Sequence, residues 1–261
     1  MIEKDYFLNI LEKKIFVKEL IVDESKKGPT LIFLHEGLGC TAMWKDFPHK
    51  LAENTGLNAF IYDRIGYGKS DLTEEKRDDF YLHNEALKYL PRIIEQTGLK
   101  DIILIGHSDG GSIALLYASK YPVRGLVTEA AHVFVEDITI AGIKDAVEIY
   151  KNTDLKEKLK KYHGDKTEIV FKDWSEIWLS DPFRAWNIED CLPGITHPLL
   201  VIQGNDDEYA TIKQVDSIVN KTSCSTESAI VPDCKHVPHF QSKDVVLAKI
   251  TDFVSKLASI E

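Results

Sequence analysis

The chain has 261 residues, 44% of them hydrophobic and 28% charged, the make-up of a globular protein with one full core and room for an insertion. Its formal charge is −10, with no basic cluster longer than a pair or a triplet, which argues against nucleic acid or an anionic membrane surface as a partner. No apolar run approaches the roughly 18 residues needed to cross a bilayer, and no apolar leader opens the chain, so a cytoplasmic protein is expected. Cys40, Cys191, Cys224 and Cys234 lie far apart with no C-x-x-C spacing and are expected to be reduced thiols.

Residues 6–10 and 14–21 alternate in polarity as an antiparallel hairpin would, and Lys26-Lys27-Gly28-Pro29 turns the chain. The apolar run Thr30-Leu31-Ile32-Phe33-Leu34 suits a strand buried on both faces of a parallel sheet, and it opens into the loop His35-Glu36-Gly37-Leu38-Gly39. A helix over 44–55 and a second buried strand over 58–62 follow, ending in Asp63-Arg64-Ile65-Gly66-Tyr67-Gly68-Lys69-Ser70. The spacing of Leu82, Ala86, Tyr89, Leu90 and Ile93 predicts a helix over 80–96, bent at Pro91. The β-branched run Ile102-Ile103-Leu104-Ile105 then ends in Gly106-His107-Ser108-Asp109-Gly110, and an apolar helical pattern starts with no room for an ordinary loop.

After a short strand over 125–128, the alternation stops. Ile143, Val147 and Tyr150, then Leu155, Leu159 and Tyr162, then Val170, Trp174, Ile177 and Trp178 recur at helical spacing. This predicts a helical cap over 132–190, inserted into a core of residues 1–131 and 191–261. The sheet resumes over 198–202 and leads into Gln203-Gly204-Asn205-Asp206-Asp207-Glu208; a last strand over 228–231 leads to Cys234-Lys235-His236-Val237-Pro238-His239, and an amphipathic helix covers 244–257. Strands alternating with helices call for right-handed crossovers and an open, mostly parallel α/β sheet covered on both sides. In such sheets the loops at the carboxyl ends of the strands line the working crevice, and Ser108 and the loops after Leu34 and Tyr62 all stand there.

By composition, G-x-S-x-G arises by chance in about one chain in ten of this length, so placement and partners decide its meaning. A serine at so sharp a strand-to-helix turn needs glycine on both sides, because a Cβ would collide with the tightened backbone. Its hydroxyl is a poor nucleophile at neutral pH and needs a base, best a histidine, worth roughly 10²–10⁴-fold. The histidine in turn needs a carboxylate to hold its tautomer. The chain supplies Ser108, then Asp207, then His236, each after a strand, and that order belongs to the α/β-hydrolase version of the triad.

Through Gly106-His107-Ser108-Asp109-Gly110, Asp63-Arg64-Ile65-Gly66-Tyr67-Gly68-Lys69-Ser70, Gly204-Asn205-Asp206-Asp207 and the segment around His236, the chain resembles the α/β-hydrolases over essentially its full length. The resemblance implies the α/β-hydrolase fold with a helical cap, and Asp207 rather than Asp206 as the acid. It implies His236 as the base, with His239 as the alternative because Lys235 replaces a common glycine. The oxyanion donors implied are the N–H of Asp109 and that of Gly37, with Leu38 as the alternative. Glu36 stands where the family more often has glycine.

The expected activity is a serine hydrolase cleaving a carboxylic ester, thioester or lactone of a small, largely apolar acid, with no cofactor. Relatives on this fold also cleave carbon–carbon bonds in ring-cleavage products, and others bind ligands without catalysis; both remain as alternatives. Halide and epoxide chemistry is disfavoured, since those relatives carry aspartate where Ser108 stands. Leu38, His132, Phe134 and Trp174 are candidates for the substrate pocket, beside Asp137. Trp174, Trp178 and Trp186 are expected mostly as core of the cap, with one of them lining the substrate pocket. The H-x-x-H pair His236 and His239 lacks further acidic or cysteine ligands, so no metal is expected. His107 and His35 are expected to support neighbouring loops, and Asp63 and Arg64 to pair.

Overall fold

A computed structural model of the chain describes residues 1–25, 28–73 and 77–259; the turn expected at Lys26 and Lys27 lies outside the described residues. The hairpin runs longer than its alternation, as β1 (Ile2–Ile10) and β2 (Lys13–Ile21). Then come β3 (Thr30–Leu34), α1 (Phe47–Thr55), β4 (Ala59–Tyr62), α2 (Tyr81–Asn84), α3 (Leu90–Thr97), β5 (Ile102–His107), α4 (Asp109–Ala118) and β6 (Gly125–Glu129). Between β6 and the next strand run α5 (Asp137–Asn152), α6 (Leu155–His163), α7 (Thr167–Trp178) and α8 (Asp181–Arg184). The chain ends with β7 (Leu199–Gly204), α9 (Lys213–Lys221), β8 (Thr226–Val231), α10 (Pro238–Gln241) and α11 (Lys243–Ala258).

The strands form one eight-stranded sheet in the order β1-β2-β4-β3-β5-β6-β7-β8 among the described residues. β2 meets both β1 and β4 antiparallel, and every pairing from β4 through β8 is parallel. The central strands are buried at nearly every position and mostly apolar, because both faces are covered. Leu31, Phe33, Ile103, Ile105 and Val127 pack against α1 and α11, whereas Ile32, Leu34, Ile102, Leu104 and Leu126 face α2 to α4 and the helices after β6. The period-two pleat sorts each run between two cores.

The helix expected over 80–96 is broken differently from a simple bend. Glu85–Tyr89 forms a π-helical turn between α2 and α3. Pro91 has no N–H to give and its ring would press on the carbonyl four residues back; the widened turn relieves both conflicts. The helix expected over 44–55 starts at Phe47, after a 3₁₀ turn at Thr41–Trp44. Most of the span 132–190 is helical, and one bridge pairs Phe134 with Asn187. All four cysteines are free thiols, and no described helix is long and apolar enough to cross a membrane.

Candidate active site

β5 runs straight into α4, and the turn between them holds Ser108 at φ 53°, ψ −117°, a region that costs a non-glycine residue roughly 1–3 kcal/mol. A Cβ on Gly106 would strike the Gly110 carbonyl, and one on Gly110 would strike the Leu34 carbonyl. Both flanking glycines are therefore sterically required. The strain projects the Ser108 hydroxyl from the carboxyl edge of the sheet, and the N–H of Asp109, first in α4, has no acceptor within its helix.

The loops after β7 and β8 bring the partners. His236 Nε2 lies 2.9 Å from Ser108 Oγ, and His236 Nδ1 lies 2.9 and 3.0 Å from the two Asp207 oxygens. All three residues are buried. Burial opposes the ionisation of Asp207, but His236 and the Tyr209 N–H outweigh it and hold the carboxyl below its usual range. Asp207 Oδ1 also accepts from the N–H groups of Tyr209 (2.8 Å) and Ala210 (3.2 Å), so the carboxylate cannot rotate away from the ring. A carboxylate fixed on Nδ1 leaves Nε2 as the basic nitrogen, facing a hydroxyl it can deprotonate.

A family model described as alpha/beta hydrolase fold matches residues 29–146. The proline iminopeptidase of Saccharolobus solfataricus is 23% identical over 98% of this chain and 96% of its own length. The proline iminopeptidase of Lactobacillus delbrueckii subsp. lactis is 32% identical over 106 residues, which span 41% of this chain and only 36% of its own length. A bacterial membrane phospholipase A superposes with a TM-score of 0.81 at 19% identity, over 98% of this chain and 87% of the other. An esterase from Exiguobacterium antarcticum gives 0.74 at 19%, over 96% and 99%. The chain has the α/β-hydrolase fold. The proline iminopeptidase relatives support hydrolase activity.

In this fold Ser108 opens on a cavity of about 290 Å³. The core contributes Leu38, Met43 and Val237 to it, and the helices after β6 contribute Thr139, Ile143, Ala146, Leu155, Leu159, Trp174 and Trp178. Gly37 lines it too, under Trp174: a Cβ on Gly37 would come within 2.5 Å of the indole. Among the described lining residues none is Lys or Arg.

Several expectations are corrected by packing. Phe134 is not among the cavity-lining residues; its N–H faces the Gln214 carboxamide and its backbone bridges Asn187, which directs it away. Asp137 is an ion-pair partner of Arg184 at the surface. Trp178, expected in the cap core, lines the cavity alongside Trp174, while Trp186 stacks on Phe183 at 5.3 Å. Asp63 does not pair with Arg64. Its carboxylate accepts the N–H groups of Thr41 (2.6 Å) and Lys69 (2.7 Å). Arg64 instead reaches Asp109 at 3.2 Å and the Glu36 carbonyl at 2.9 Å, and so braces both candidate oxyanion segments at once. His239 is withdrawn from Ser108: its ring and N–H bind Glu129 at 3.0 and 2.9 Å.

Of the other supporting residues, Tyr81 carries no linear signal. Tyr81 donates to Asp109 at 3.0 Å and accepts from Trp178 Nε1 at 2.8 Å. His107 Nε2 sits 2.8 Å from the His236 carbonyl and its Nδ1 3.5 Å from Glu36. Burial alone would lower the His107 pKa, but Glu36 raises it overall. His35 takes the Arg64 N–H on Nε2 at 3.0 Å and holds the Glu36 carbonyl with Nδ1 at 2.8 Å, in line with the support role expected of it.

Proposed function

We propose that this chain is a serine hydrolase that cleaves a carboxylic ester, thioester or lactone of a small, largely apolar acid through an acyl-enzyme. The observation that carries the reading is the unbroken row Ser108–His236–Asp207 at the floor of a mainly apolar cavity. His236 Nε2 takes the Ser108 proton as Oγ attacks the carbonyl, and Asp207 holds the imidazolium that forms. The N–H groups of Asp109 and Gly37, or Leu38 in its place, stabilise the oxyanion. His236 returns the proton to the departing oxygen or sulfur, then activates the water that releases the acid. Residues 132–190 act as the cap, and Leu38, His132 and Trp174 with Ile143 and Leu159 shape the acyl pocket for a small-molecule substrate.

A second reading has one specific observation in its favour. The Saccharolobus proline iminopeptidase matches nearly end to end, which favours removal of an N-terminal residue from a peptide by the same three side chains. Turnover of p-nitrophenyl butyrate by the wild type, falling at least about 10³-fold in Ser108→Ala, is the expected result. Equal rates in the two proteins would overturn the serine mechanism. Faster turnover of a prolyl p-nitroanilide than of the ester would select the peptidase reading.

A further inference from the structure

The helices after β6 meet the core at a buried histidine that the chemistry above does not use. His163, the last residue of α6, is 2% exposed. Its Nδ1 accepts the Gly68 N–H at 3.1 Å, and its Nε2 lies 2.9 Å from the Leu38 carbonyl oxygen. A backbone N–H only donates and a carbonyl only accepts, so the two partners dictate a neutral ring with its proton on Nε2. Next to it, Lys166 donates to the carbonyls of Tyr67 and Ser70.

Leu38 and Gly37 carry the N–H groups assigned above to the second oxyanion position. On the core side, the Glu36 carbonyl is held by Gly39 N–H at 3.1 Å and Arg64 Nη2 at 2.9 Å. On the other side, the Leu38 carbonyl is held by His163, and Trp174 covers Gly37. The loop is thus suspended between an anchor in the core and one in the helical cap.

We propose that His163 is a positioning residue that ties the cap to the loop after β3, so that the oxyanion donors come into register only when the cap is seated. The inference rests on the serine hydrolase reading. The charged groups facing the ring are Asp63 and Glu36, which favour an imidazolium, and Lys166 and His35, which oppose one; the Tyr67 ring packs edge-on. Burial dominates and holds the imidazole below its ordinary range. A proton on Nδ1 would remove the lone pair that receives the Gly68 N–H, so acid breaks the tie. Catalysis then needs two neutral imidazoles, His236 and His163.

The test compares p-nitrophenyl butyrate kinetics of the full chain with His163→Leu and His163→Gln, with Ser108→Ala as control. His163→Leu is expected to lose about 10²-fold in kcat with KM unchanged, the cost of a displaced catalytic group. His163→Gln keeps a donor and an acceptor and is expected to restore most of kcat. The acid limb of log kcat/KM should approach a slope of about two in the wild type and about one in His163→Gln. A folded His163→Leu with wild-type kcat, or an unchanged acid slope in His163→Gln, overturns the proposal; if His163→Leu does not fold, the slope in His163→Gln decides. Ser108→Ala turning over as fast as wild type defeats the hydrolase reading and this inference with it, whereas an inactive Ser108→Ala beside an unaffected His163→Leu defeats this inference alone.

Discussion

Replacing Glu85 by Gln should stabilise the protein in alkali and not in acid. Glu85 lies in the π-helical turn, 6% exposed, and its Oε2 has no hydrogen-bond partner among the described residues. Burial pushes the carboxyl up from 4.5 to about 7, against the pull of the Arg64 and Arg77 guanidinium groups. The folded chain therefore holds this proton more tightly than the unfolded chain does. Its contribution is fully present below pH 4.5 and is lost as the pH rises through about 7. At about 1.4 kcal/mol for each tenfold change in proton affinity, the loss across that window is at most about 3.5 kcal/mol. Gln has nearly the same shape and never ionises. Thermal melts should find the two proteins alike near pH 5 and Glu85→Gln higher by about 5–10 °C near pH 8.5. A gap that is constant with pH, or a variant less stable in alkali, would show that Glu85 is held ionised by Arg64 and would refute the reasoning.

Asp207→Asn should leave the fold intact but lower kcat by roughly 10⁴, because an amide nitrogen facing Nδ1 turns the imidazole to the tautomer that cannot accept the Ser108 proton; stopped-flow acylation would show it, and a loss under tenfold would count against the role given to Asp207. Gly110→Ala should yield little soluble protein, since its methyl group would meet the Leu34 carbonyl; a soluble variant of wild-type activity would contradict the packing described. Ile143→Trp should fill part of the cavity and raise the preference for acetate over hexanoate esters at least about tenfold, read from kcat/KM, and an unchanged chain-length profile would place the acyl group elsewhere.

The frame of the fold was legible because each element carries its own local physics. Buried runs such as Leu31–Leu34 and Ile102–Ile105 are apolar throughout, glycines mark the tight turns, and the span after β6 shows a helical period. Pro91 signalled an interruption, but whether the helix bends or widens into a π turn depends on the packing around Glu85. Phe134 and Asp137 were misplaced for a related reason: they follow β6 directly, and their direction is set by Gln214, Asn187 and Arg184, between 47 and 80 residues away along the chain.

What the sequence determined by itself was the class of chemistry on offer. A serine between obligatory glycines, followed by an acid and a histidine after later strands, is a local pattern, because strained turns and strand ends demand particular residues at particular spacings. Tertiary structure alone decided which histidine meets the serine: His236 and His239 stand three residues apart, and the buried Glu129 at the end of β6 draws His239 aside. It also decided that Arg64 braces Asp109 rather than Asp63 and that His163, at the end of α6, reaches Leu38. Such contacts join residues far apart in the chain, and a hydrogen bond between them leaves no periodicity for a linear reading to detect.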